Sequence, residues 1–370
     1  MAQTVENRQA GEMTRVLADW LAGRIEGASK VRIERLRAPS SNGFSNITAL
    51  FEAAWWNRGI EERRQLVARI EPAGEALFPS YDVSRQFDTM KALEASAVPV
   101  PRALWMERDA AILGSPFLVM EHIEGHIPSD DPSFAASGWV LGLTPQQRSK
   151  LCDNAIAALV QVHQVDWRGR GLDWLHRPGD GTSAERELAY YEHFYRWAAQ
   201  GLTVPVIDAG LAWARERMPA DDELVLSWGD SRIGNMIFGE DLRVLSVIDW
   251  EGASLAAREK DLGHWLQLTH VYTEQFGLAL PEGFPDRTAL LRRYEELSGR
   301  RLGDVPFYEV MSGIHSSIQA MRALTLMGRA ASSGRSDAAI VNNPFTRGLA
   351  RLIGIEMAAE GGLDILTGKR

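Results

Sequence analysis

Residues 228–238, WGDSRIGNMIF, and residues 244–254, VLSVIDWEGAS, decide how this chain is read. The short runs Asn235–Phe238 and Val244–Ile248 are β-like, and the Gly-Glu-Asp segment between them has turn chemistry, so together they read as a hairpin. Asp230 precedes the hairpin, Asn235 opens it five residues later, and Asp249 closes it after Leu-Ser-Val-Ile. Such a hairpin returns Asp249 beside Asn235. One carboxylate is then free to accept a hydroxyl proton and orient the oxygen, while an amide oxygen and a second carboxylate supply the hard ligands that Mg²⁺ prefers. Phosphoryl transfer needs both sets.

Working outward, the N-terminal third has β character. Val31–Leu36, Ile47–Trp56 and Arg64–Glu71 read as an antiparallel meander, and Ala103–Glu107 and Phe117–Glu121 as two more strands. One helix is expected among them, Asp82–Ala95, with Asp82 or Ser84 as N-cap and Val98-Pro99-Val100-Pro101 ending it. An amphipathic helix is expected before the strands, over residues 13–25, with residues 1 to about 10 frayed. Beyond residue 122 the pattern is helical apart from the island Glu223–Ser254. Thr144-Pro145 opens a helix running to about Val165, and further helices are expected at 184–199, 207–218, 258–276, 286–298, 305–328 and 344–359. The fold class is therefore α+β: an N-terminal antiparallel β-sheet lobe with one internal helix (1–121), and a larger, mostly helical C-terminal lobe (122–370).

Composition narrows the function. The apolar fraction of 45% in 370 residues is that of a folded protein. The net charge is −9 with no Lys/Arg block, which argues against a nucleic-acid partner. No apolar run reaches the roughly 18 residues that span a bilayer, and the polar N-terminus lacks a signal-peptide core, so no membrane association and a cytoplasmic location are expected. Cys152 is the one cysteine, so neither an intrachain disulfide nor a CxxC metal site exists. The turn Ser40–Asn46 does not match the Walker pattern, which removes P-loop ATPases. His163 reads as a core residue, whereas His264 and His270 are positioned to border an acceptor site.

The step from Asp230 to Asn235 is that of a protein-kinase catalytic loop. WGDSRIGNMIF and VLSVIDWEGAS, with Asp261-Leu262 after them, resemble the core of the aminoglycoside phosphotransferase-like small-molecule kinases, whose pattern is HGD-x4-N, an I/L-D-W/F-E segment and a D-L pair. SNGFSN, VPVPRALW, GSPFLVMEHIEG and LVQVHQVDW extend the resemblance over roughly residues 35–270. The most similar subgroup includes the kinase-like domain fused to acyl-CoA dehydrogenases. The resemblance implies a two-lobe protein-kinase-like fold. It implies Asp230 as the catalytic, hydroxyl-orienting residue and Asn235 and Asp249 as Mg²⁺ ligands, with Asp261 bracing the catalytic loop. It implies a site for ATP (or GTP) using Arg69, Gln86, the turn residues Ser41, Gly43 and Ser45, and the backbone at Glu121 and Ile123. The acceptor would be a small-molecule hydroxyl, on an aminoglycoside or a hydroxyacyl-CoA-like metabolite. A nucleotide-binding pseudokinase is the alternative. The chain departs from the pattern at three positions: Trp228 stands in place of the usual His, Arg69 in place of Lys, and Gln86 in place of Glu.

Overall fold

A computed structural model of the chain describes residues 2–37, 46–220, 223–330 and 337–357. These residues group into two compact units, one of residues 1–94 and 101–123, the other of residues 95–100 and 124–370.

The first unit is built on a five-stranded antiparallel sheet. Its strands are β1 (Ala28–Arg37), β2 (Ile47–Asn57), β3 (Ile60–Ile70), β4 (Ala103–Glu107) and β5 (Phe117–Glu121), in the spatial order β1-β2-β3-β5-β4. Strands β2 and β3 pair without a bulge from Ile47↔Ile70 to Asn57↔Ile60. Arg58 and Gly59 both take positive φ at the tip, as a tight turn matched to strand twist requires. Side chains alternate across a strand. Ala49, Phe51, Ala53 and Trp55 of β2 and Leu66, Ala68 and Ile70 of β3 therefore share one buried face, on which Leu17, Trp20 and Leu21 of helix α1 (Ala2–Ala22) pack. Helix α1 starts earlier than the apolar spacing indicated and stops before Ile25, because Gly23 and Arg24 turn back onto the carbonyls of Trp20 and Leu21. Its end is tied down by Glu107, which accepts from the Trp20 indole at 2.7 Å and from Arg24 at 2.6 Å. The internal helix α2 (Val83–Leu93) is capped by Asp82, which accepts from the amides of Ser84 and Arg85.

The second unit is mostly helical. It contains α3 (Trp139–Gly142), α4 (Pro145–His163), α5 (Ser183–Ala199), α6 (Pro205–Glu216), α7 (Glu259–Tyr272), α8 (Arg287–Ser298), α9 (Val305–Ala330), α10 (Asp337–Val341) and α11 (Pro344–Leu352). Thr144 and Gln147 form the capping box that starts α4. The expected island holds two small ladders. Strand β6 (Leu224–Ser227) pairs with β9 (Ser254–Ala257), and β7 (Met236–Phe238) pairs with β8 (Val244–Val247). The first ladder was not expected. Its effect is to clamp both ends of the island, so that residues 228–253 emerge from a closed base. No helix among the described residues is long and apolar enough to cross a membrane.

Candidate functional site

The segment after β6 enters a tight corner. Gly229 has φ +93°, and a Cβ there would lie 2.1 Å from the Gly252 carbonyl oxygen, so only glycine lets the two backbones meet. The corner is held from α7. Asp261, fully buried, accepts from the backbone N–H groups of Trp228 (2.8 Å) and Gly229 (2.9 Å) and from the Ser227 hydroxyl (3.0 Å). His163 Nε2 lies 2.9 Å from the same carboxylate and its Nδ1 lies 2.6 Å from the Tyr294 hydroxyl. Burial alone would raise the Asp261 carboxyl; the bonds from His163 and Gly229 reverse that and keep it ionised. Trp228 is also fully buried, and its indole N–H donates to the Ile248 carbonyl at 2.9 Å, joining the loop to the strand that leads to Asp249.

These restraints leave the Asp230 side chain 30% exposed. Its Oδ1 accepts from Arg232 Nε at 2.9 Å and lies 2.9 Å from His264 Nε2; its Oδ2 accepts from Asn235 Nδ2 at 2.6 Å. Burial pushes this carboxyl up, but Arg232 and His264 outweigh it and hold the group well below the usual carboxylate range. Arg232 is bonded on its other side to Asp130. Burial opposes the guanidinium charge, and the two carboxylates more than restore it.

The Asn235 amide nitrogen is committed to Asp230, donating also to its backbone carbonyl at 3.1 Å. Its Oδ1 is therefore the atom left to act as a ligand. The Ile248 N–H donates to the Asn235 carbonyl at 3.0 Å, and Met236 pairs with Val247, which brings the backbone of Asp249 alongside Asn235. Asp249 takes the left-handed conformation, φ 61° and ψ 64°, where the strand ends. An amide oxygen and a carboxylate on adjacent backbone are oxygen donors of the kind Mg²⁺ takes. Among the described residues no group of three or more His, Cys, Asp or Glu could hold a metal ion by itself, so such a pair needs further oxygens from a ligand or water.

The other sequence-derived candidates lie in the first unit. Arg69 is on β3, on the face opposite the α1 core, and donates to Thr48 Oγ1 at 3.1 Å. Gln86 is buried on α2. Glu121 ends β5, its N–H donating to the Arg102 carbonyl at 3.0 Å, and Ile123 follows, half-buried. Ser41, Gly43 and Ser45 lie outside the described residues. The structure thus joins Asp230, on the loop before the β7–β8 hairpin, to Asn235 by a hydrogen bond, and sets the backbone of Asp249 beside Asn235. It adds three residues the sequence reading did not use, Arg232, Asp130 and Ser312, the last 3.0 Å from His264 Nδ1. Arg232 stood within the quoted motif; a cation two residues from a candidate base was a usable signal.

A family model described as the phosphotransferase enzyme family (APH) matches residues 44–297. The mouse acyl-CoA dehydrogenase family member 10 is 31% identical over 241 residues, which is 65% of this chain and 20% of that protein. The chicken acyl-CoA dehydrogenase family member 11 is 34% identical over 54% of this chain and 25% of its own length. The chain thus spans a fifth to a quarter of these relatives. A crystal structure from Ralstonia eutropha assigned to the aminoglycoside phosphotransferases is 22% identical, has a TM-score of 0.67 and covers 92% of this chain and 98% of its own. The fold is that two-lobe, kinase-like α+β fold.

Proposed function

The chain belongs to the phosphotransferase enzyme family, and from that premise we propose that it transfers the γ-phosphoryl group of ATP (or GTP) to a hydroxyl of a small molecule. The observation that carries this reading is the Asp230 carboxylate. It is kept ionised by Arg232 and His264, and it accepts from the Asn235 amide nitrogen, which leaves that residue's amide oxygen as its ligand atom. A carboxylate so weakly basic orients an acceptor O–H and takes its proton late, which suits a loose transition state. Asp230 would hold the hydroxyl in line with the phosphoryl group, and Arg232 would offset charge on the transferred oxygens. Asn235 Oδ1 and Asp249 would hold Mg²⁺, which when bound neutralises charge on the phosphate oxygens. Arg69, Gln86 and the backbone at Glu121 and Ile123 are the proposed nucleotide contacts. Retention of both metal-ligand positions argues against a pseudokinase.

The aminoglycoside phosphotransferase neighbour favours an aminoglycoside-type acceptor. A second reading, a hydroxyacyl-CoA or similar metabolite, is favoured by the sequence relatives named as acyl-CoA dehydrogenase family members. The test is ADP release from MgATP and MgGTP with a panel of aminoglycosides and 4-hydroxyacyl-CoAs, using Asp230→Ala as control. ADP release that depends on one acceptor class and vanishes in the variant supports the reading and selects the acceptor. Nucleotide binding without any acceptor-dependent turnover favours the pseudokinase, and absence of nucleotide binding overturns the proposal.

A further inference from the structure

Asp230 has one partner whose role the phosphotransfer reading does not supply. His264 lies on α7, thirty-four residues away in sequence, with its side chain only 7% exposed. Its ring is engaged at both nitrogens: Nε2 is 2.9 Å from Asp230 Oδ1, and Nδ1 is 3.0 Å from the Ser312 hydroxyl on α9. Because an ionised carboxylate can only accept, the hydrogen at that contact belongs to Nε2. Its Nδ1 meets the hydroxyl of Ser312, which is itself 4% exposed.

Two details make this a built arrangement. Helices α7 and α9 approach unusually closely at Gly263, where a Cβ would lie 2.5 Å from the Tyr308 carbonyl carbon, and that approach brings Ser312 within reach of the next residue, His264. The ring also lines a small cavity together with Gly229, Lys260, Glu187 and Tyr308, so packing does not enclose it on every side. The two hydrogen bonds therefore set its orientation.

We infer that His264 is a positioning residue that, anchored by Ser312, fixes the rotamer of Asp230 so that its remaining lone pairs face the acceptor hydroxyl. This rests on the reading of Asp230 as the hydroxyl-orienting carboxylate. Arg232 and Asn235 restrain the same carboxylate but sit on its own loop, within five residues of it. His264 is the restraint that references Asp230 to the helical core. The ring takes no proton from the acceptor, since its Nε2 already carries one; its effect is on geometry.

The experiment compares the full-length protein with His264→Ala, His264→Gln, Ser312→Ala and Asp230→Ala. It measures steady-state ADP release from MgATP with water as the acceptor, together with melting temperature. Gln is chosen because its amide nitrogen can donate from near the position of Nε2. The expected result is that His264→Ala loses at least about tenfold in kcat with KM for MgATP unchanged within about twofold, that Ser312→Ala loses less, and that His264→Gln recovers to within about threefold of the parent. A role confined to folding would lower the melting temperature of His264→Ala and His264→Gln alike, without the rescue. The inference is overturned if His264→Ala retains its kcat, if Gln is no better than Ala, or if the loss falls on KM. If Asp230→Ala itself loses nothing, the reading of Asp230 fails and the positioning role falls with it. Loss in Asp230→Ala with full activity in His264→Ala overturns the positioning role alone.

Discussion

Arg232 is shared between two carboxylates, Asp230 and Asp130, one hundred residues apart in sequence. The side chains are partly exposed, 19% for Arg232 and about 30% for each acid, so solvent screens the pairs and their value lies in geometry as much as in stability. Hydrogen bonds to charged groups are worth about 1.5–3 kcal/mol, so Asp130→Ala is expected to lower kcat by about tenfold by releasing Arg232. Arg232→Ala should cost more, because it also frees Asp230. The double variant should be no worse than Arg232→Ala, since Asp130 acts through the arginine; additive losses in the ADP-release assay would show that Asp130 acts independently. The same residues mark how far the sequence could be read. Asp230, Asn235 and Asp249 were legible because a hairpin and the loop before it carry all three. Asp130 and Ser312 were not, because each meets the site through a tertiary contact that leaves no spacing in the chain.

At the scale of elements, the loop that presents Asp230 is clamped by β6 and β9 and pinned from α7 by Asp261. The ladder escaped the sequence reading for a physical reason. LVLS and SLAA are four residues each, and the alanines of β9 favour helix, so the strand exists because of its partner rather than its composition. The β7–β8 hairpin, by contrast, carries its own turn and was legible. Asp261 is the point at which α7 holds the start of the loop, as His264 holds Asp230. Asp261→Asn leaves one oxygen to accept where two now serve Ser227, Trp228, Gly229 and His163, and puts an amide N–H₂ where donors already point. Breaking a buried charged network costs about 3–5 kcal/mol. The variant should therefore unfold at clearly lower urea concentration and lose turnover together with stability, in contrast to Asp230→Ala, which should lose turnover at an almost unchanged midpoint.

At the scale of the whole molecule, acid should expose where titratable groups are held out of their ordinary states. Burial pushes the His315 imidazole down to about 3, helped by Arg177 and Lys260 and by His264, while Glu187 opposes the shift. His315 sits on α9, stacked on Tyr191 with ring centroids 4.9 Å apart. An unfolded histidine takes a proton below about pH 6.5, so between that pH and about 3 the unfolded chain binds a proton that the native one refuses. Stability from this group is thus complete above about pH 6.5 and declines as the pH falls. The depressed carboxyls of Asp230, Glu187 and Asp261 act in the same direction, but only below the ordinary carboxylate range, near pH 4. The interval from pH 6.5 to 5 therefore weights the histidines; His270, also lowered by burial, adds to the slope, and Glu71 and Asp130, whose carboxyls burial raises, oppose it. Unfolding followed by the fluorescence of the buried Trp228 and Trp250 should give a melting temperature that drops from pH 7 to pH 5 in the parent protein and drops less in His315→Gln. Equal slopes would mean that His315 protonates in the native state at its ordinary pH, and that its surroundings on α5 and α9 admit the charge.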